Sequence, residues 1–321
     1  MDDIVAAFAK SVNQQNCRIV NTPRLVFLCG GPTSEEPDPV SARDYFNRHL
    51  RNNHTGICER VLLAETINDW FRDDLFSDLL ELEEYLADFS DVIILFVEGA
   101  GSFAELGAFA RSDVLRPKTL AIISSEYSRK PSFIIDGPVL RLRRYNKELV
   151  RPYDWNAENV SDPLNLPVFQ VMSEELVELL IQREQDSPQE EQLQLAQAAH
   201  GHTMLLLADL IDILGITLEK ELMHCLSEWD LKLNRKQFTR YTYLLEKLTI
   251  IETIDFSGQT YYLSTGRPTF VRYDFLPGTR NRDRDRIKRL FRDTLRARDP
   301  KRAGVFERYL LRKEAVAPSH A

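Results

Sequence analysis

DVIILFVEGAGSFAELGAF, residues 91–109, is the stretch on which the fold turns. Its apolar run, Val92 to Val97, is short and uninterrupted, as a strand buried on both faces must be. Gly99 and Gly101 then make a tight loop. Ser102 can cap a helix running to about Arg111, with Glu105 at the third position, the spacing of a capping box. Strand, glycine loop and helix form the repeating unit of an open parallel sheet, where ligands sit beyond the carboxyl ends of the strands. That places Ser102 and Glu105 at the crevice. Gly101 permits close backbone approach, and the first turn of the helix favours a phosphate or carboxylate. Gly107 allows close packing of helix on sheet. A plainer reading gives Glu105 no task beyond closing the cap with Ser102, and the local pattern leaves both open.

Working outward, Leu25 to Cys29 is a second apolar run, stopped by Gly30-Gly31-Pro32. Arg60 to Glu65 and Thr119 to Ile123 are two more strands, and Ser41 to Asn52 and Ser77 to Phe89 carry helical spacing. This alternation predicts an α/β fold, a Rossmann-like parallel sheet over residues 1–150. Residues 151–197 are expected to be a linker with a connecting helix from about Ser173 to Arg183. The pattern then changes. Helices over 203–214, 217–229 and 235–248 precede strands over 250–255 and 259–264, joined through Phe256-Ser257-Gly258. That order predicts a winged helix-turn-helix over residues 198–268. Residues 269–321 are expected to form a basic arm, one or two Arg-rich helices broken at Pro300.

Charge separates the halves. The chain carries a formal −8, yet Arg272 to Lys313 holds 15 Lys/Arg against 6 Asp/Glu, a local +9 on a remainder of −17. Such a tail suits a polyanionic partner or an electrostatic contact with its own body. Arg235, Lys236 and Arg240, on the helix expected to lie in a groove, are candidate contacts to phosphates or base edges. Arg282, Arg284, Arg286, Lys288 and Arg289 are the stronger electrostatic footprint. Cys17, Cys29, Cys58 and Cys225 show no paired spacing, which speaks against a disulfide framework or zinc site and suits a reducing cytoplasm. His200 and His202 lack a nearby third ligand, so no metal is expected. No basic leader opens the sequence and no apolar run is long enough for a bilayer, so no membrane is expected.

Several blocks carry a family resemblance: FLCGG (27–31), Glu65 closing the second strand, DLFSDLL (74–80), LEEYLAD (82–88), DVIILF (91–96), GSFAELGAF (101–109) and SFIIDGPVLRLRRYN (132–146). The 91–109 stretch resembles nucleoside 2-deoxyribosyltransferases, with Asp opening the strand and a Gly-Ser…Glu-x-Gly helix start. An acid eight residues before that Asp is matched by Glu83. The whole set is similar to the effector toxins of type II retrons, deoxyribosyltransferase-like domains followed by a DNA-binding domain. The resemblance implies that Glu105 is the catalytic carboxylate and that Glu83 assists it. It also implies phage defence, with the toxin restrained by a reverse transcriptase and its multicopy single-stranded DNA (msDNA). The substrate implied is NAD⁺, a reactant rather than a bound cofactor. Substrate-binding expectations fall on Gly30, Gly31, Glu65, Gly101 and Ser102, with Asp69 at the rim. One departure matters: the transferases carry an Asp six residues before the glutamate, and this chain has Gly99, with Glu98 the nearest acid. That favours hydrolysis of a ribonucleotide over transfer of deoxyribose. Action on deoxynucleosides or nucleotides, and a nucleotide-sensing DNA-binding regulator without catalysis, remain the alternatives. A homo-oligomer, or a filament with the retron complex, is expected only by analogy with related sites that a neighbouring subunit completes.

Overall fold

The computed structural model describes residues 1–67, 75–128, 131–156, 159–186, 188, 190–193, 200–266 and 269–316. It forms two compact units, Pro23–Pro188, and Met1–Thr22 together with Gln189–Ala321.

The first unit is built on five parallel strands: β1 (Leu25–Cys29), β2 (Val61–Leu63), β3 (Ser90–Val97), β4 (Thr119–Ser124) and β5 (Val150–Tyr153). Their order across the sheet is β2-β1-β3-β4-β5. The register runs Val26 opposite Val61, Cys29 opposite Leu95, Val97 opposite Ile123 and Ser124 opposite Tyr153. β3, the run that decided the fold, lies in the middle of this order and is buried almost throughout, hence its unbroken apolar sequence. Alternate residues divide the sheet between two helical layers. Val26, Leu28, Val92, Ile94, Phe96, Leu120 and Ile122 share a core with Phe46 of α1 (Ala42–Asn53) and Phe169, Met172 and Leu176 of α4 (Leu166–Asp186). The other face, with Cys29, Leu95 and Val97, is covered by α2 (Leu79–Phe89) and α3 (Ala100–Arg111). The chain leaves β1 toward β2 at one edge and resumes at β3 on the other side of β1. At such a reversal open sheets of this kind bind ligands in a crevice beyond the carboxyl ends of the flanking strands, here β1 and β3.

The domain boundaries differ from those expected. Residues 150–186 supply the edge strand β5 and the helix α4, both parts of the sheet unit rather than a linker. Pro152 hid β5, although proline is tolerated on an edge strand, where its missing N–H leaves no ladder bond unmade. Conversely, residues 1–22 belong to the other unit. The N-terminal helix, Asp2–Ser11, buries Phe8 against Tyr273 (ring centroids 5.5 Å) and Phe291 (6.0 Å), and the Ala9 carbonyl accepts from Trp229 Nε1 at 2.9 Å.

That second unit holds α5 (His200–Leu214), β6 (Ile216–Thr217), α6 (Glu219–Glu228), α7 (Arg235–Lys247), β7 (Ile251–Phe256) and β8 (Gln259–Ser264). The antiparallel order β6-β8-β7 gives the winged-helix arrangement. Asn234 caps α7 as the sequence suggested, its side chain accepting from the Gln237 amide at 2.8 Å. The hairpin turns on Ser257 (φ 54°) and Gly258 (φ 76°), the paired left-handed residues of a tight two-residue turn. A second small sheet pairs Arg18–Val20 with Glu190–Gln192 and with Val271–Arg272. The expected basic arm is two helices, α8 (Arg284–Arg298) and α9 (Pro300–Val316). They are packed rather than extended: Ile287, Phe291 and Leu295, one helical turn apart, are all buried.

Candidate active site

At the crevice the helix start differs from the expected one. Gly99, not Ser102, is the N-cap, and Ser102 is the third residue of α3. Its hydroxyl accepts from the Glu98 amide at 2.9 Å and the Gly99 amide at 3.0 Å and donates to the Gly99 carbonyl at 2.9 Å. Ser102 therefore closes the cap alone, and Glu105 lies a turn further on. The capping explanation of Glu105 falls away. Its carboxylate is half-buried, and Oε2 is enclosed without a hydrogen-bond partner among the described residues. Burial pushes the carboxyl up, the Arg43 charge opposes this, and the Glu65 charge adds to it.

Glu83 reaches the same place from the first half of α2. It is 1% exposed, and neither carboxylate oxygen has a hydrogen-bond partner among the described residues. Burial, then the nearby Glu105 charge, and then Asp78, push its carboxyl up to about 8. Two carboxyls that cannot both ionise cheaply are thus held together, one kept protonated at neutral pH. The Cys29 thiol, buried at the end of β1, registers the whole set. Burial raises it well above its ordinary value, with Glu105, Glu83 and Glu65 adding and Arg43 opposing.

A stability consequence follows for Glu83. Its folded-state value lies above the ordinary 4.5, so the native state holds the proton more tightly than the unfolded chain does. The associated stabilisation is full below about pH 4.5 and is lost as pH rises through about 8. We expect Glu83→Gln, which cannot lose a proton, to flatten this decline. Urea unfolding midpoints between about pH 5 and pH 9, compared for the two proteins, check the difference.

The glycine pair after β1 is constrained by the sheet. Gly30 has φ +133°, and a Cβ there would fall 2.5 Å from the Phe96 carbonyl oxygen. A Cβ on Gly31 would fall 2.8 Å from Ser41 Cβ. Only glycine fits this path. The Gly31 amide, expected to hold substrate, is directed to Glu98 instead. Glu98 also accepts from the Ala42 amide at 2.6 Å and the Arg43 amide at 3.1 Å, capping α1. Glu98 is therefore a brace between β3 and α1. Gly101 and Gly107 are exposed, and a Cβ on either would meet nothing within 4 Å, so Gly107 does not serve the close packing of helix on sheet expected of it. Asp69 lies outside the described residues.

Sequence reasoning missed Arg43. An arginine on the first turn of a polar-looking helix gives no periodic signal, yet this one is 3% exposed. It donates to the Leu28 carbonyl at 2.8 Å, the Gly31 carbonyl at 3.0 Å and Glu65 Oε2 at 2.6 Å. Glu65, just past β2, also accepts from Thr33 Oγ1 at 2.9 Å through its Oε1. Burial pushes Glu65 up, but the bonds from Arg43 and Thr33 outweigh it and hold the carboxyl below its ordinary value.

In the other unit the expected nucleic-acid residues separate into two groups. Arg284 binds Asp209 at 2.9 and 3.0 Å and Asp212 at 2.6 Å, and Lys288 binds Asp212 at 2.9 Å. Arg240 is buried at 7% exposure. These three are built into the fold, a correction to their assignment as free contacts. Asp209, itself fully buried, also accepts from the Phe270 and Val271 amides, which ties α8 to α5 and the Val271–Arg272 strand. Arg235, Lys236, Arg282, Arg286 and Arg289 are exposed. Much of the tail's positive charge thus meets acids of its own unit, the second of the two uses its charge suggested. His200 Nδ1 lies 2.7 Å from the Tyr241 hydroxyl and His202 3.4 Å from Glu191. No helix among the described residues is long and apolar enough to cross a membrane.

Comparison with known proteins gives this geometry a relationship. Two Escherichia coli proteins are similar over part of the sequence. One is named "Retron Ec86 putative ribosyltransferase/DNA-binding protein" and is 35% identical over 142 residues, which is 41% of this chain and 42% of that protein. The other carries the same designation for retron Ec73 and is 30% identical over 132 residues, 40% of each chain. The match therefore spans less than half the length of these curated relatives. The profile described as STM3845 retron effector protein matches residues 39–253, more than half of the chain, from α1 through the first half of β7. It includes Arg43, Glu65, Glu83 and Glu105 together. On that match, the chain belongs to the STM3845 retron effector protein family.

Proposed function

We propose that the crevice hydrolyses an N-glycosidic bond, with NAD⁺ as substrate and nicotinamide as the base released. The observation that carries this reading is Glu105, freed from the helix cap and presented half-buried at the sheet's reversal point with an unpaired oxygen. Breaking a ribosyl–base bond builds positive charge at C1′ in an oxocarbenium-like transition state. A carboxylate under that carbon stabilises the charge or attacks it to give a ribosyl ester, which water then opens. Nicotinamide departs as a neutral molecule from a cationic precursor, so the leaving group needs no proton. Water supplies the hydroxyl retained at C1′, and its proton is released. Arg43, by its charge, favours the ionised form of Glu105. Glu83, protonated at neutral pH, can donate a hydrogen bond to a ribose hydroxyl or to Glu105 without adding a second charge.

The relatives' names couple ribosyltransferase with DNA-binding, and this chain pairs the crevice unit with a winged helix. The same reading holds that a reverse transcriptase and its msDNA restrain the toxin until phage infection. Exposed Arg235, Lys236, Arg282, Arg286 and Arg289 would meet the polyanion in a salt-dependent contact of low sequence specificity. A homo-oligomer or a filament with the retron complex would be one form of that restraint.

The test is to incubate purified protein with NAD⁺ and, separately, with deoxynucleosides, and to separate released bases by chromatography. Free nicotinamide from NAD⁺, with deoxynucleosides intact, is the expected result. Base release from deoxynucleosides alone would move the substrate class, and release from neither would leave a nucleotide-sensing regulator as the better account.

A further inference from the structure

Arg43, Thr33 and Glu65 form a clamp whose purpose neither the cap nor the sheet requires. Glu65 sits in the short turn after the edge strand β2, with its side chain 42% exposed. A rim carboxylate with that much exposure is ordinarily mobile and solvated. This one is fixed at both oxygens: Oε2 by Arg43 at 2.6 Å, from a guanidinium itself anchored to two carbonyls, and Oε1 by Thr33 at 2.9 Å. Each carboxylate oxygen keeps a further lone pair. The three residues come from the loop after β1, the start of α1 and the turn after β2, so they converge on one end of the sheet. Glu65 is close enough to Glu105 for its charge to raise the Glu105 carboxyl.

A rigid, ionised, outward-facing pair of acceptors beside a carboxylate aimed at an anomeric carbon matches one feature of a ribosyl group, its adjacent hydroxyl donors. We infer that the Arg43–Thr33 clamp presents Glu65 to the 2′- and 3′-hydroxyls of the sugar, and so selects ribosyl over 2′-deoxyribosyl ligands. The inference rests on the crevice being a nucleotide site. It adds the sugar class that site accepts and names Glu65 as the residue that reads it. Pre-organisation is what makes the selection strong. A fixed acceptor that loses its donor stays desolvated and unpaired in the complex, whereas a mobile one would swing back to water.

The experiment reads binding, so that it does not depend on turnover. Calorimetry on full-length protein carrying Glu105→Gln would compare NAD⁺ with its analogue lacking the 2′-hydroxyl on the nicotinamide-bearing ribose. We expect NAD⁺ to bind at least about tenfold more tightly, the worth of one hydrogen bond to a charged group. Adding Glu65→Gln, an exposed and nearly isosteric change, should bring the two within about threefold of each other. Thr33→Ala should give an intermediate preference, since one of the two tethers is removed. Equal binding of both ligands before Glu65 is changed, an undiminished preference after it, or binding of neither ligand would each overturn the inference. A ribose preference that vanishes with Glu65→Gln, in a wild-type protein that cleaves no glycosidic bond, would uphold the clamp and sink the glycosidase reading.

Discussion

Glu105→Gln is expected to lower nicotinamide release by about 10³-fold or more while leaving the fold intact. Gln keeps the shape and removes the charge, and that charge is what a cationic transition state at C1′ would need. The structural cost is small because the carboxylate takes no part in capping α3, a task Ser102 performs alone. Removing one negative charge beside Glu83 and Glu65 also relieves like-charge repulsion. Thermal unfolding should therefore shift by no more than the equivalent of about 1 kcal/mol, in either direction. Kinetics and melting on the same preparation separate a lost catalytic charge from a lost fold. A sensor without catalysis would show no dependence on this substitution beyond a change in ligand affinity.

The largest expected effect on stability lies in the other unit. Arg302 is 2% exposed and binds both oxygens of Glu221 at 2.8 and 2.6 Å, while also donating to the Ile216 carbonyl. Glu221 in turn accepts from the Leu218 amide at 3.0 Å and so closes the start of α6. The pair thereby fastens α9 to β6 and α6 at once. Arg302→Met should cost about 3–5 kcal/mol, because it leaves a buried carboxylate with no countercharge. Replacing both partners, as Arg302→Met with Glu221→Leu, should recover part of that loss, less the cap at α6. Chemical denaturation of the three proteins measures the coupling. A single variant as stable as wild type would mean that this pair is not buried in solution.

What the sequence made legible follows the strength of each physical signal. β3 and β1 were readable because they are buried on both faces and end in glycines. The tight turn at Ser257-Gly258 and the Asn234 cap were readable because single residues determine them. β5 was not, because Pro152 argues against a strand wherever its edge position is unknown. The first 22 residues were assigned to the wrong unit because Phe8 carries no mark of where its partners, Tyr273 and Phe291, lie in the chain. Glu105 and Glu83 were picked out through the family resemblance of their motifs, but their mutual burial was not legible, since the two come from different helices. Arg43 left no periodic trace at all. Arg284 and Lys288 read as a free basic face because the acids that meet them, Asp209 and Asp212, stand more than seventy positions earlier. Charge patterning registers sign along the chain, not pairing across it.

The central claim, that the Glu105 crevice breaks a ribosyl–base bond with water, is tested most directly by isotopic labelling. Purified protein would be run on NAD⁺ in water enriched in oxygen-18, and the products would be weighed by mass spectrometry. The account predicts free unlabelled nicotinamide and one heavy oxygen on the ribose anomeric carbon, with both products absent when Glu105→Gln is used. Heavy oxygen appearing in a phosphate, or NAD⁺ left whole by the wild-type chain, would contradict it.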